Sequence, residues 1–169
     1  MNKKNTEYLY TNYSELFKNR DNLKQSLMGF GFECSDGWFS LVKNLCEDIS
    51  QYFITKHGGI PEDFSVLQVK EKFGGLRFYI SGAPAEVHDI IRDAELESYY
   101  ICEHCGKVCP KYVKGGEYVS FHRDDLPWVL TLCDSCLALH LKERKLSFKS
   151  YVSDWQMRNK APYKVMDVK

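Results

Sequence analysis

The sequence predicts an α+β fold in which helices surround a β-hairpin or small antiparallel sheet, followed by a small cysteine-rich module. Three observations predict this fold: a long segment with apolar residues every three or four positions, two alternating segments around Gly74-Gly75, and two Cys-x2-Cys pairs. We therefore divide the chain into a helix-hairpin-helix domain over residues 1–100, a metal-binding module over 101–150 and a polar C-terminal tail over 151–169.

The composition allows an ordinary hydrophobic core. The chain has 169 residues, of which 44% are hydrophobic, so its cysteines are not needed to replace a core. It contains no run of about 18 apolar residues, and no apolar stretch follows the N-terminal charges. We therefore expect neither a membrane span nor a secretion signal, and a cytoplasmic protein in which structural disulfides are rare.

The charge is balanced overall but unevenly distributed. The formal net charge is +0, which argues against attraction of the whole surface to nucleic acid. Residues 1–100 carry 11 basic against 15 acidic residues, whereas residues 101–169 carry 12 against 8. The basic second part indicates either a surface that faces a polyanion or a solvated helix face with a charged tail.

Two helical segments are predicted before the hairpin. Residues 12–28 favour one helix or two short ones. The next helix begins near Ser35 or Asp36, either of which can cap it, and ends at His57 and Gly58. Its buried face is predicted to hold the residues spaced by three and four, namely Trp38, Leu41, Val42, Leu45, Ile49, Tyr52 and Phe53.

Residues 64–81 change to a period of two and predict the hairpin. The turn is placed at Gly74-Gly75, and a further helix is predicted from Pro84 to Tyr100. The alternation divides the first strand into two faces, with Val66, Gln68 and Lys70 on one and Leu67, Val69, Glu71 and Phe73 on the other.

Cys102, Cys105, Cys133 and Cys136 form the pattern C-x2-C-x27-C-x2-C. A two-residue gap lets one turn direct two thiolates at the same ion, and four sulfur ligands in a tetrahedron suit zinc. Gly106 follows the first pair and a predicted helix follows the second, as in a treble-clef-like zinc module. Four thiolates leave no position for water, so we expect a structural rather than a catalytic Zn²⁺.

Other thiols and imidazoles lie close to this pattern. We assign Cys109, His104 and His122 as non-ligands, although exchange with one of the four cysteines stays open. Cys34 and Cys46 are interpreted as buried structural residues, because free cysteine behaves as a small apolar side chain.

The segment FHRDDLPW between the two pairs offers an alternative with catalysis. His122 with Asp124 or Asp125 would give an HNH-like metal-dependent nuclease or nucleotide hydrolase, because HNH nucleases also carry a histidine between two cysteine pairs. However, His122 lies only 11 positions before Cys133, and no asparagine lies between the pairs. A polar loop is therefore favoured, and with it a protein that is not an enzyme.

Three sequence blocks occur together in this chain: CSDGWFSLV, QVKEKFGGLRFYI and the CEHCG…LCDSC pairs. Together they resemble a family of small uncharacterised proteins encoded by tailed phages and prophages. The resemblance covers about residues 28–137. It implies a phage-encoded protein that acts in the bacterial host cytoplasm, and context suggests counter-defence. It implies no particular activity.

The hairpin block also contains the candidate ligand-binding residues. Lys70, Lys72 and Arg77 alternate with aromatic residues that include Tyr79, and Trp38 is expected to be half exposed at the start of its helix. Basic and aromatic side chains interleaved on a sheet can hold a nucleotide or a single strand. The same pattern equally describes an amphipathic hairpin whose aromatic residues fill the core.

The sequence thus favours a non-enzymatic, zinc-stabilised protein that binds an anionic ligand, either a nucleic acid or a signalling nucleotide. Two alternatives stay open. One is the HNH-like nuclease or nucleotide hydrolase. The other is a protein inhibitor that binds a host enzyme through its aromatic-rich helices. The oligomeric state is open as well.

Overall fold

The computed structural model describes residues 1–109, 113–114, 117–118, 121–123 and 129–143. Over this part the protein has the predicted α+β fold, with four α-helices and antiparallel strand pairs. The helices are α1 (Lys3–Asn12), α2 (Phe39–His57), α3 (Ala85–Ser98) and α4 (Asp134–Glu143). The strands are β1 (Ser65–Lys72), β2 (Gly75–Ser81), β3 (Val113–Lys114), β4 (Glu117–Tyr118), β5 (His122–Arg123) and β6 (Leu130–Thr131).

The first helix lies earlier in the chain than predicted. α1 begins after Asn2, whose side chain accepts a hydrogen bond from Asn5 N, and residues 13–25 form turns instead of the predicted helix. These turns bury Leu16 and Phe17 but leave Leu23 56% exposed. The prediction was wrong because the apolar residues of this segment do not share one face: the chain bends to run beside β1.

Helix α2 is confirmed, although its start differs from the prediction. A short 3₁₀ turn at Asp36–Trp38 precedes it, and Gly58 ends it in the left-handed conformation with φ of 75°. The side chain of Ser35 makes no capping bond. The carboxylate of Asp36 instead accepts hydrogen bonds from Asn2 N and Asn5 Nδ2, at 2.8 and 3.0 Å. It therefore joins the N-terminal helix to the start of α2.

The hairpin forms as predicted, but a β-bulge changes its faces. Val66 pairs with Ile80 and Gln68 with Tyr79, so Leu67 is an additional residue in β1. The bulge places Val66 and Val69 both in the core, where each is wholly buried, although simple alternation assigns them to opposite faces.

Both edges of the hairpin are covered by non-strand segments. On the β2 side, Leu76 N donates to Ser98 Oγ and Phe78 N to Glu95 Oε1 in α3, both at 3.0 Å. On the β1 side, Glu33 N donates to the carbonyl of Val69, in a short parallel bridge. Leu76 N and Phe78 N on one edge and the carbonyl of Val69 on the other are thus paired with α3 and with the segment before α2.

The buried residues form two clusters that meet between Ile101 and Cys102. The larger cluster contains α1, α2, α3 and the hairpin, and the smaller one contains the cysteine-rich segment and α4. Trp38 joins them, because its ring is wholly buried in the larger cluster while its Nε1 donates to the carbonyl of Ile101 at 2.8 Å.

Gly37 lies where the two clusters meet. A Cβ on Gly37 would overlap the carbonyl oxygens of Cys102 and Glu103 and would lie 2.5 Å from Gly106 N. All three obstacles are backbone atoms, so they cannot rotate away. Only glycine fits this position.

We predict that Gly37→Ala lowers the free energy of unfolding by at least about 2 kcal/mol, because the added methyl group forces two backbone segments apart. Gly59→Ala is the matched control, since nothing lies within 4 Å of a Cβ there, and its effect should stay within about 0.5 kcal/mol. Chemical denaturation of the two variants measures both. Equal stabilities for the two variants would contradict the close contact at Gly37.

Candidate functional site

The four predicted cysteines come together in one group. The Sγ atoms of Cys102, Cys105, Cys133 and Cys136 all lie within 4.8 Å of one another, and the Cys105 and Cys133 sulfurs are 3.7 Å apart. A tetrahedral ion with metal–sulfur distances of about 2.3 Å requires sulfur–sulfur separations of about 3.8 Å. All four cysteines are free thiols. The group can therefore bind a metal ion without a disulfide having to be reduced.

Local backbone geometry places the first pair on a tight loop. Ile101 and Val108 form an antiparallel bridge, and inside it Gly106 N donates to the carbonyl of Cys102 at 2.8 Å. Gly106 has φ of 74°, a conformation that side chains with a Cβ rarely adopt. The loop therefore turns both thiols of the first pair towards the same point.

The second pair lies at the N-terminal end of α4. Leu137 N donates to the carbonyl of Cys133, so the helix begins at this cysteine. Burial opposes ionisation of Cys133, but hydrogen bonds from the backbone and thiol of Cys136 outweigh it and lower the pKa of Cys133 to about 7. Burial raises the pKa values of Cys102 and Cys136. One thiolate is thus favoured at the helix start, where the helix dipole stabilises negative charge.

The residues assigned as non-ligands lie outside this group in the described part of the chain. His104 is exposed, with Nδ1 3.6 Å from the sulfur of Cys136, and Cys109 is buried in the same small cluster. Cys34 and Cys46 are buried in the larger cluster, as expected. The cluster of four is therefore a cysteine-only site among the described residues.

The cysteine loop is fixed to the start of α2. Gly37 N donates to the backbone carbonyl of Glu103 at 2.7 Å, and Ser35 N donates to the side-chain Oε1 of Glu103 at 2.9 Å. Burial raises the pKa of Glu103, against the opposing effect of the Ser35 hydrogen bond. On the other side, Glu103 N donates to the carbonyl of Thr131 at 2.9 Å. This one residue connects the block around Asp36–Trp38, the first cysteine pair and β6.

The hairpin tip also packs on the cysteine-rich module. Thr131 Oγ1 donates a hydrogen bond to the carbonyl of Gly74. A Cβ on Gly74 would lie 3.0 Å from the ring of His122 and from Val129. The three sequence blocks that are separate along the chain are therefore neighbours in space, around the four thiols.

The predicted ligand-binding residues divide into two groups. Trp38 was assigned to the buried face of its helix, which is confirmed, but its expected half exposure as a ligand contact is wrong: it is 0% exposed, and its ring lies where the two clusters meet. Lys70 and Arg77 pair across the hairpin, and Gln68 pairs with Tyr79, so these side chains share the face opposite the core. We call this the outer face.

The cations of this region are not equally available. The guanidinium of Arg77 donates to the carbonyl of Leu76 at 2.6 Å and to Tyr99 Oη at 3.3 Å, and it lies 3.7 Å from a carboxylate oxygen of Glu95. The hydrogen bond with Tyr99 raises the pKa of Arg77. Arg77 thus has a structural role.

The two lysines instead lie against aromatic rings. Lys70 Nζ is 5.6 Å from the ring centroid of Tyr79, and Lys72 Nζ is 5.5 Å from that of Phe73. Tyr79 is 40% exposed and Phe73 is 68% exposed. Two cation–aromatic pairs are therefore accessible along the hairpin.

Phe73 is one of the aromatic residues interleaved with the lysines, but it was not among the predicted ligand-binding residues. The two-residue turn consists of Phe73 and Gly74, with φ of 53° and 72°, one position before the predicted glycine pair. Two consecutive positive φ angles define a type I′ turn, where Asn-Gly or Asp-Gly is preferred and a bulky residue is rare. The one-residue shift of the turn explains why Phe73 was assigned to a strand face.

Of the alternative catalytic residues, His122 is the one that the structure describes. His122 lies in β5, with Nδ1 3.4 Å from Thr131 Oγ1 and its ring 4.4 Å from that of Tyr99. These contacts pack the imidazole against the hairpin tip. Asp124 and Asp125 lie outside the described residues.

The chain matches no protein-family model, and neither the curated proteins nor the solved structures include a significant match to it. Within the described residues, none of the helices combines the length and apolar character that crossing a bilayer requires.

We predict that Cys133→Ser reduces bound metal from one equivalent per chain to near zero, because serine does not replace a thiolate ligand. Cys109→Ser is the matched control: Cys109 is also buried in the small cluster but lies outside the group of four, so its variant should keep a full equivalent. Elemental analysis of the purified proteins gives both values. An unchanged metal content in Cys133→Ser would refute the four-cysteine assignment.

Proposed function

We propose that the protein is a non-enzymatic, zinc-stabilised binding protein whose outer hairpin face binds single-stranded nucleic acid. The observation that carries this proposal is the pair of exposed lysine–aromatic contacts, Lys70 with Tyr79 and Lys72 with Phe73. Lysine provides the phosphate contact, and an exposed ring provides a surface on which a base of any sequence can stack.

Zinc is the metal that best fits the cysteine group. Four thiolates at tetrahedral spacing select a soft or borderline ion, and zinc has no geometric preference of its own that opposes a tetrahedron. Four protein ligands complete the coordination, so the ion would hold the loop of Cys102 and Cys105 to the start of α4. Its contribution would be to folding and not to activation of a water molecule.

The shape of the outer face supports a strand-like ligand. Beside Tyr79 a shallow groove continues between β1 and the turns before α2, with Leu23 and Leu27 exposed on its rim and Lys24 next to them. Rings and apolar side chains thus alternate with lysines over several residues. The uneven charge of a neutral chain is consistent with a local rather than a global attraction to phosphates.

Our proposal includes the setting that the sequence resemblance to phage-encoded proteins implies, the bacterial host cytoplasm. In that setting, a small binding protein that covers or sequesters a nucleic acid or a signalling nucleotide acts in counter-defence. The proposal for the surface does not depend on that context, since it rests on the lysine–aromatic pairs alone.

We predict that Lys70→Glu weakens the binding of a fluorescein-labelled single-stranded 12-mer by about tenfold and lowers the slope of log Kd against log salt by about 1, because one phosphate contact is lost. Tyr79→Ala should weaken binding with little change in that slope, because it removes stacking rather than charge. Fluorescence anisotropy at several salt concentrations measures both quantities.

Lys56→Glu is the matched control, because Lys56 is an exposed lysine that lines a pocket between α2 and α3 and neither the groove beside Tyr79 nor the cleft at the hairpin tip. It carries the same change of charge and should bind almost like the unmodified protein. If Lys56→Glu and Lys70→Glu weaken binding equally, the effect is one of net charge, and the outer face is not the binding surface.

We also predict that the purified protein contains one zinc per chain and that chelation lowers its melting temperature. The zinc affinity should fall as the pH falls, because each thiolate must lose a proton before it binds the ion. Elemental analysis and thermal scans with and without a strong chelator provide the measurements. A melting temperature that does not respond to complete zinc removal would argue against a structural ion.

A further inference from the structure

A cleft of about 370 Å³ lies between the hairpin tip and the cysteine-rich module, separate from the groove beside Tyr79. This volume lies within the range of small-molecule sites. The hairpin, the first cysteine loop, the β5–β6 region and α4 all contribute to its walls. The side chains that carry the argument are Glu71, Lys72, Phe73, Glu103, Val129 and Leu130.

One part of the cleft suits a flat aromatic ligand with a phosphate. Phe73 presents its ring at the hairpin tip, with Lys72 Nζ 5.5 Å from the ring centroid. Two hydrogen bonds fix the conformation of the tip: Gly74 N donates to Glu71 Oε1, and the carbonyl of Gly74 accepts from Thr131 Oγ1. The ring is therefore presented on a fixed turn, next to a cation that can reach a phosphate.

The other part of the cleft presents hydrogen-bond acceptors. Glu71 and Glu103 each use Oε1 to accept a backbone N–H, from Gly74 and Ser35 respectively. Neither Oε2 atom accepts a hydrogen bond from another described residue. The carboxylate of Glu71, two positions before Phe73 in the chain, thus presents an acceptor oxygen to the cleft. Val129 and Leu130 add apolar surface.

We propose that this cleft binds a guanine base, with the ring stacked on Phe73, the phosphate near Lys72 and the base edge on the carboxylate of Glu71. Guanine presents two adjacent N–H donors on its Watson–Crick edge, which match a carboxylate in a bidentate pair. Adenine presents one donor beside an acceptor nitrogen, and that nitrogen would face a negative oxygen. The inference rests on the proposed function and adds a base preference to it.

The test compares labelled 12-mers of thymidine that carry one central guanosine or one central adenosine. The unmodified protein should bind the guanosine oligonucleotide about tenfold more tightly than the adenosine oligonucleotide, which agrees with the free energy by which a good bidentate contact discriminates between bases. Guanosine monophosphate should displace the guanosine oligonucleotide from the protein at a lower concentration than adenosine monophosphate does. Equal affinities for the two oligonucleotides would overturn the proposal.

Two variants test the residues while preserving the turn. Glu71→Gln keeps an oxygen to accept from Gly74 N but replaces the second oxygen by a donor, so the guanosine preference should fall to about twofold or less. Phe73→Asn removes the ring and introduces Asn-Gly, the preferred type I′ pair, so the hairpin should be at least as stable while both oligonucleotides bind more weakly. A full guanosine preference in Glu71→Gln would exclude this carboxylate as the group that reads the base.

The outcome separates this inference from the proposed function. If both oligonucleotides bind equally and Lys70→Glu weakens both, the outer face binds nucleic acid and the cleft does not read guanine. If neither oligonucleotide binds, then the proposed function fails and the guanine cleft fails with it.

Discussion

The structure depends on a contact between two backbones, in which Gly37 lies directly against the loop that carries Cys102 and Gly106. The amide of Gly37 donates to the carbonyl of Glu103, and the indole of Trp38 donates to that of Ile101, so the main helical core and the cysteine-rich module share hydrogen bonds where they meet. A metal ion that fixed the loop would thereby also fix the start of α2. The hairpin tip belongs to the same unit, because Gly74 packs on residues next to the second cysteine pair.

Much of this could be predicted from local patterns, and the failures occurred where distant contacts decide. α2, the hairpin and the cysteine group follow from helical spacing, alternation and paired Cys-x2-Cys motifs, which need only neighbouring residues. The burial of Trp38, by contrast, depends on a carbonyl 63 positions away, and the faces of β1 depend on a bulge that no local rule locates. The segment 12–28 was predicted to be helical from the positions of its few apolar residues, but the segment instead pairs with β1 through Leu16 and Leu27.

The candidate ligand-binding residues differ in the same way. Lys70, Lys72 and Tyr79 were proposed from the interleaving of basic and aromatic residues, and their placement on an accessible hairpin supports that proposal. Phe73 was not chosen as a contact, because the turn was placed one residue too late and Phe73 was assigned to a strand face. A positive φ is unfavourable for a bulky residue such as Phe73, so local sequence rules do not predict it at a turn. Its exposure at a tip that Glu71 and Thr131 hold by hydrogen bonds follows only from the backbone structure.

The covered edges of the hairpin also restrict how any partner can associate. Ser98 and Glu95 accept from two N–H groups of β2, and the segment at Glu33 occupies the β1 side, so within the described residues α3 and this segment already lie along the two edges. Strand addition, a common way in which sheets recruit extended ligands, would have to displace them. The same arrangement protects a small two-stranded sheet from joining its copies into fibrils.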